Sequence, residues 1–268
     1  MKKLKRRLCL IAMGLFLLSL SGCGKGGRDL SDWAYIQDKG EMVIGITYFE
    51  PMNYLDESDQ LTGFETEFAT AVCEILGVKP VFQEINWSAK ETELKAKTID
   101  CIWNGMTIDG DREANMSISK AYMSNQQVLV VKAENASDYK GDLSGRQVVA
   151  EAGSAGESVC GREDFFADAV YTAVDTQAKA LMEVTAGTAD AAVVDYVMSV
   201  GMIGPGTDYE ALTVVLDRAF GEERYGVALR KEDSQLTQKI NEAMTALGAS
   251  GKLAEIAEAY QLDPLLLF

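Results

Sequence analysis

Strand-like and helix-like apolar patterns alternate along this chain from Met42 onward, in two successive blocks. That alternation restricts the chain to an α/β architecture, in which strands are joined through helices packed on a sheet. Residues 42–46 (MVIGI) form a short apolar run stopped by Pro51. Phe64, Phe68, Ala71, Val72 and Ile75 recur at helical spacing, and Gly77 ends that helix. Residues 81–85 read as a strand, 92–97 as a helix, and 99–103 and 127–132 as further strands, before the polar stretch 133–142. In the second block, 147–150 is a strand and 153–156 (GSAG) a small-residue turn that opens a helix. Residues 176–185 are helical, 191–194 form a buried strand ending at Asp195, and 225–229 form one more strand. Leu236, Ile240, Met244, Leu247, Leu253, Ile256 and Tyr260 fit two amphipathic helices over 234–260. Two α/β lobes with a crossover between them accommodate this order better than one sheet.

The first 22 residues are of another kind. Lys2, Lys3, Lys5, Arg6 and Arg7 precede an apolar run over 8–20. A run of that length falls short of the roughly 20 residues that span a bilayer, and suits a secretory signal. Leu20-Ser21-Gly22-Cys23 then resembles a bacterial lipobox, in which the Cys23 thiol becomes the lipidated N-terminus. Residues 23–36 read as the lipidated Cys and a flexible, Gly-rich tether.

Composition narrows the chemistry. The chain contains no histidine, which excludes Ser-His-Asp and Cys-His nucleophilic mechanisms and any His-ligated metal. Its formal net charge is −16, and loss of the five basic signal residues takes it to −21. So acidic a chain is not a nucleic-acid binder, because phosphate affinity rests on Lys and Arg. Beyond Cys9 and Cys23, the cysteines are Cys73, Cys101 and Cys160. They are odd in number and without a CxxC pair, so no disulfide framework or zinc site is indicated.

Residues 42–76, with Gly45, Pro51 and Gly63-Phe64-Glu65, resemble the opening of bacterial extracellular solute-binding proteins of family 3, the receptor subunits of polar amino-acid ABC importers. The resemblance continues through Ile99-Asp100-Cys101-Ile102, Gly105-Met106-Thr107 with Arg112, Gly153-Ser154 and 189–195. It closes with 225–231 and 251–260. It implies a two-lobed periplasmic-binding-protein-like fold of type II, each lobe a sheet flanked by helices, joined by two hinge strands. Lobe 1 is then expected over 37–125 and, returning, 225–268, with lobe 2 over 126–224.

The resemblance also assigns roles. Arg112, five residues after Thr107, clamps the ligand α-carboxylate, for which a guanidinium offers a matching fork; the alternative is a surface Arg paired with Asp109 or Asp111. Gly105 and Thr107 contribute backbone groups and a hydroxyl. Ser154, Ala155 and Gly156 offer N–H groups at a helix start, where the dipole favours an anion. Ala155 stands where the family commonly has a second hydroxyl. Asp195 pairs with the ligand α-ammonium, or else caps the helix that begins at Tyr196. Phe49 and Trp87 flank the ligand side chain, or else pack as core aromatics. Glu50 and Asn104 neighbour these walls.

No acid other than Glu50 is clearly placed to hold a basic side chain, so a neutral or polar amino acid is expected. The implied partners are that free amino acid, the ABC permease transmembrane subunits, and the membrane through lipid on Cys23. A monomer on the outer face of the cytoplasmic membrane is the simplest state. No cofactor, metal or catalytic residue is expected. The alternatives are a ligand sensor without transport, or a dehydratase or lyase on the same scaffold using Glu50 or Glu151 as its acid or base.

Overall fold

The computed structural model describes residues 32–139, 141 and 143–268; the signal segment and Cys23 lie outside them. In chain order the first elements are α1 (Asp32–Lys39), β1 (Glu41–Ile46), β2 (Tyr54–Leu55), β3 (Leu61–Thr62), α2 (Phe64–Leu76), β4 (Lys79–Glu84), α3 (Lys90–Lys95), β5 (Cys101–Ile102), α4 (Gly110–Asn115) and β6 (Met116–Ile118). There follow β7 (Met123–Lys132), β8 (Gln147–Glu151), α5 (Ala155–Arg162), β9 (Val170–Val174), α6 (Gln177–Ala186), β10 (Ala191–Asp195), α7 (Tyr196–Met202) and β11 (Leu212–Tyr225). The chain closes with β12 (Ala228–Arg230), α8 (Ser234–Ser250) and α9 (Lys252–Ala259). No described helix is long and apolar enough to cross a membrane.

Ten of these strands make two five-stranded sheets, ordered β4-β1-β5-β12-β6 and β11-β7-β10-β8-β9, and β2 and β3 pair as a separate hairpin. In the first, β1 runs parallel to β4 and β5 while β12 is antiparallel to β5 and β6. In the second, β8 is parallel to β9 and β10, and β7 is antiparallel to β10 and β11. The chain passes between the sheets twice, from β6 to β7 and from β11 to β12. The crossing strands are paired as far as Met123 and Tyr225. This is the two-lobed type II fold with two hinge strands.

The helices form where the sequence periodicity places them. α2 buries Phe64, Phe68, Ala69, Val72 and Cys73 and stops at Gly77, whose φ of 70° lets its N–H reach the Cys73 and Glu74 carbonyls. Phe68 then meets Trp103 edge-on at 5.1 Å and Tyr122 at 5.6 Å, which locks helix, sheet and hinge strand into one core.

Three expectations need correction. Residues 32–36, read as the end of a flexible tether, lie in helix α1, whose Ile36 is buried in the core. Residues 225–229 are not one strand: β11 ends at Tyr225 and β12 starts at Ala228. The break lies where Gly226 squeezes past the other lobe-1 elements; a Cβ there would lie 2.7 Å from Ile118 Cγ2. The strand expected over 99–103 is only Cys101–Ile102. The longest strand, β11, gave no sequence signal. Its LTVVLDRAFGEERY lacks alternation because two register shifts interrupt its pairing with β7.

Candidate functional site

Parallel strands present their carboxyl ends together, and in both sheets those ends face one another. β10 ends at Asp195 and its parallel neighbour β8 ends at Glu151. From the first sheet, β5 exits into Trp103, Asn104 and Gly105. Between them lies a narrow enclosed space. Trp87, Asn104, Gly105, Thr107 and Arg112 form one wall, and Glu151, Ser154, Ala155, Gln177 and Asp195 the other.

Arg112 is the cation of the first wall. Asp109 caps α4 by accepting the Arg112 N–H at 2.8 Å, which fixes the backbone from which the side chain departs. Nη1 donates to the Thr107 carbonyl at 2.8 Å, Nε pairs with Asp109 Oδ2 at 3.3 Å, and Nη2 reaches the Gly153 carbonyl at 3.5 Å. The Asp109 pairing is therefore real, but Arg112 is not a surface residue: it is 8% exposed. Its contacts orient the guanidinium and leave Nη2 with one long bond.

Asp195 is the anion opposite. It occupies the position before α7, yet its side chain makes no cap bond. Asn125 takes that role: its Oδ1 accepts the Val197 N–H at 3.2 Å. Asp195 Oδ1 accepts from Asn125 Nδ2 at 2.5 Å and from Gln127 Nε2 at 2.7 Å, while Oδ2 accepts from Gln177. Burial pushes the Asp195 carboxyl up, and these amide donors oppose the shift. The capping alternative is thus excluded for its side chain. Glu223 sits on the same amides, at 3.1 Å from Asn125 and 3.0 Å from Gln127, and accepts from Thr107 Oγ1 at 3.2 Å.

The turn at 153–156 opens α5 with Ser154 as its N-cap. Ser154 Oγ accepts the Glu157 N–H at 3.1 Å, and Glu157 Oε2 accepts the Gly153 N–H at 2.7 Å. The Ser154 hydroxyl is therefore already engaged as a cap, and Ser154 and Ala155 form the wall. Gly156 does not line the space. It lies under the helix, where a Cβ would come within 2.9 Å of the Val193 carbonyl and 3.1 Å of Gln127 Oε1.

Phe49 likewise does not line the space. It packs in the core with its ring against Gly105, whose added Cβ would lie 2.7 Å from Phe49 Cε1. Gly105 itself, at φ 53°, gives its N–H to Glu65 Oε1 at 2.8 Å, so its carbonyl is what it can offer a ligand. Glu65 also accepts from Tyr122 and from Asn53, and burial pushes its carboxyl up to about 7. Asn104 does line the space, its Oδ1 accepting from Thr47 N–H and Asn53 Nδ2. Glu50 does not. Trp87 forms part of the wall and carries Lys90 over its ring at 4.6 Å.

Comparison with known proteins decides the family. The description "Bacterial extracellular solute-binding proteins, family 3" matches residues 42–263. The chain belongs to that family. An L-arginine-binding protein of Pseudomonas aeruginosa is 31% identical over 225 residues, spanning 81% of this chain and 86% of the relative. An L-cystine-binding protein of Escherichia coli is 28% identical over 228 residues, 84% of each chain. Among solved structures, a substrate-binding protein of a Streptococcus pneumoniae ABC uptake transporter, with bound histidine, superposes with a TM-score of 0.77 at 28% identity, over 89% of this chain and 99% of that one. As a member of that family it is a solute-binding protein and not an enzyme; the relatives named are amino-acid-binding proteins.

Two residues that line the space, Gln177 and Glu151, were not among those expected there. Gln177 follows the cap Thr176 at the start of α6, and nothing in its neighbourhood marks it as a partner of Asp195. Glu151 was legible only as an acid at a strand end. Burial, with Asp195 beside it, pushes its carboxyl up to about 8 against the pull of Lys90. Its presence removes the premise that no acid other than Glu50 faces the side-chain end of a ligand.

Proposed function

We propose that this protein is the extracytoplasmic receptor of an ABC importer, capturing a free amino acid with a polar side chain by hinge closure and handing it to the permease transmembrane subunits. Its place is the outer face of the cytoplasmic membrane, held as a monomer by lipid on Cys23. The observation that carries the reading is one small enclosed space with Arg112 on one wall and Asp195 on the other. A free α-amino acid is a carboxylate and an ammonium on one carbon, and opposed fixed charges of this kind match both ends at once.

The order of events follows from which groups are already built. Arg112, Thr107 and Trp87 belong to lobe 1 (37–125 and 225–268), so a ligand carboxylate is received there first. Asp195, Ser154 and Ala155 belong to lobe 2 (126–224) and engage on closure, which their new contacts stabilise. The relatives' bound amino acids, arginine, cystine and histidine, are all polar, which agrees with the class.

The test is calorimetry on the full chain in detergent, after unfolding and refolding to strip carried-over ligand, against the twenty amino acids. One or a few polar amino acids bind, and Arg112→Ala and Asp195→Ala each abolish the heat. Silence across all twenty overturns the reading.

A further inference from the structure

Glu151 is 4% exposed, yet its Oε1 has no hydrogen-bond partner. A buried carboxyl oxygen without a donor costs free energy, so such a group calls for a partner, and here its place in the lining offers one from a bound ligand. The side chain lines the enclosed space beside Asp195, from the neighbouring strand end. The nearest cation does not relieve it. Lys90 Nζ is spent on the Gly153 carbonyl at 2.9 Å, the Trp87 carbonyl at 3.2 Å and the Trp87 ring.

Charge balance points the same way. With the space empty, burial holds the Glu151 carboxyl up at about 8, and a cation placed beside it favours its ionised form. Arg112 and Lys90 otherwise stand against Asp195 and Glu223, with Asp109 a further acid paired with Arg112. A ligand's α-carboxylate and α-ammonium cancel, so a neutral amino acid leaves the excess of acids as it was. A third ligand charge, positive, reduces it.

We infer that Glu151 is the specificity residue of the site and that the ligand is a basic amino acid, whose side-chain ammonium or guanidinium donates to Glu151 Oε1. This rests on the amino-acid reading above and deepens it. Asp195, held by three amides, then takes the α-ammonium, and Glu151 takes the cation at the far end of the ligand. Trp87 provides a flat apolar and π surface from the opposite wall.

The experiment is calorimetry at pH 7.5 on the refolded full chain in detergent, with L-arginine, L-lysine, L-glutamine and L-citrulline, the last being the neutral near-isostere of arginine. Wild type binds L-arginine or L-lysine at least 30-fold tighter than L-citrulline and L-glutamine. Glu151→Gln loses at least 30-fold for the basic ligand while the neutral ones change less than 3-fold. The wild-type ratio decides even if the variant does not fold. A wild type that prefers a neutral amino acid, or a variant that weakens all ligands equally or none, overturns the inference and leaves the amino-acid reading intact. No binding by any of the twenty amino acids overturns both.

Discussion

The Lys90 ammonium, in α3 of the first lobe, donates to the carbonyl of Gly153, in the turn that opens α5 of the second, at 2.9 Å. The Arg112 Nη2 bond, at 3.5 Å, converges on the same Gly153 carbonyl. The Lys90 bond holds the walls together through groups that a ligand need not touch.

Lys90→Met keeps the apolar stem against Trp87 and removes that bond. A hydrogen bond from a charged donor contributes about 1.5–3 kcal/mol, so release of bound amino acid accelerates on the order of tenfold or more, with the on-rate little changed. Stopped-flow release measurements check this. Burial, helped by Arg112 and opposed by Glu91, Glu151 and Asp109, brings the Lys90 ammonium down to about 8. Wild-type release therefore quickens between pH 7 and pH 9, and the Met variant shows no such rise. An unchanged release rate in the variant removes Lys90 from closure.

Glu65 makes stability fall as pH rises. Its carboxyl is ordinarily at 4.5 when exposed and stands at about 7 in the fold, because burial outweighs the bonds from Tyr122, Gly105 and Asn53. Between those values the native state keeps a proton that the unfolded chain has released. Stability is then full below about pH 4.5 and is lost as pH passes through 7, by on the order of 3 kcal/mol. Glu151 and Asp233, raised to about 8 and about 6, tilt the curve the same way. The unliganded protein melts several degrees higher at pH 5 than at pH 7.5, and Glu65→Gln flattens the slope. A melting point that climbs with pH across this window contradicts the assignment.

Asp195 and Asn125 separate binding from capping. Asp195→Asn removes the buried charge but no cap bond, so α7 stays folded while amino-acid affinity falls at least about 30-fold, the loss expected for one partner of a buried ion pair. Asn125→Ala removes the acceptor for the Val197 N–H and costs about 1 kcal/mol of stability as well. Circular dichroism melts run beside calorimetry distinguish the two variants; a large helix loss in Asp195→Asn speaks for a capping role after all.

Gly156→Ala tests whether that glycine is a packing residue. The new methyl meets the Val193 carbonyl at 2.9 Å, backbone that cannot yield, so α5 must lift from β10 at a cost of about 1–3 kcal/mol. Ala155→Ser, by contrast, adds a hydroxyl to the wall and strengthens binding by up to about tenfold while leaving the melting temperature within a degree or two. Equal effects of the two changes on stability remove the distinction drawn between them.

The alternation of apolar patterns, the stop at Gly77 and the apolar run into Asp195 are local, and each was legible because a helix face or a buried strand leaves its period in consecutive residues. Arg112 and Thr107 were legible as site residues only through the family resemblance, which assigns a ligand role to an Arg five positions after the Thr. What only the tertiary structure decided is who meets Asp195. Asn125, Gln127 and Glu223 come from the paired strands β7 and β11, Gln177 from the start of α6, and Glu151 from the next strand of the sheet. Periodicity reports that a side chain is buried, not which distant donor satisfies it. A buried carboxylate's partners are chosen by strand order and register, and those are set by the packing of the whole lobe.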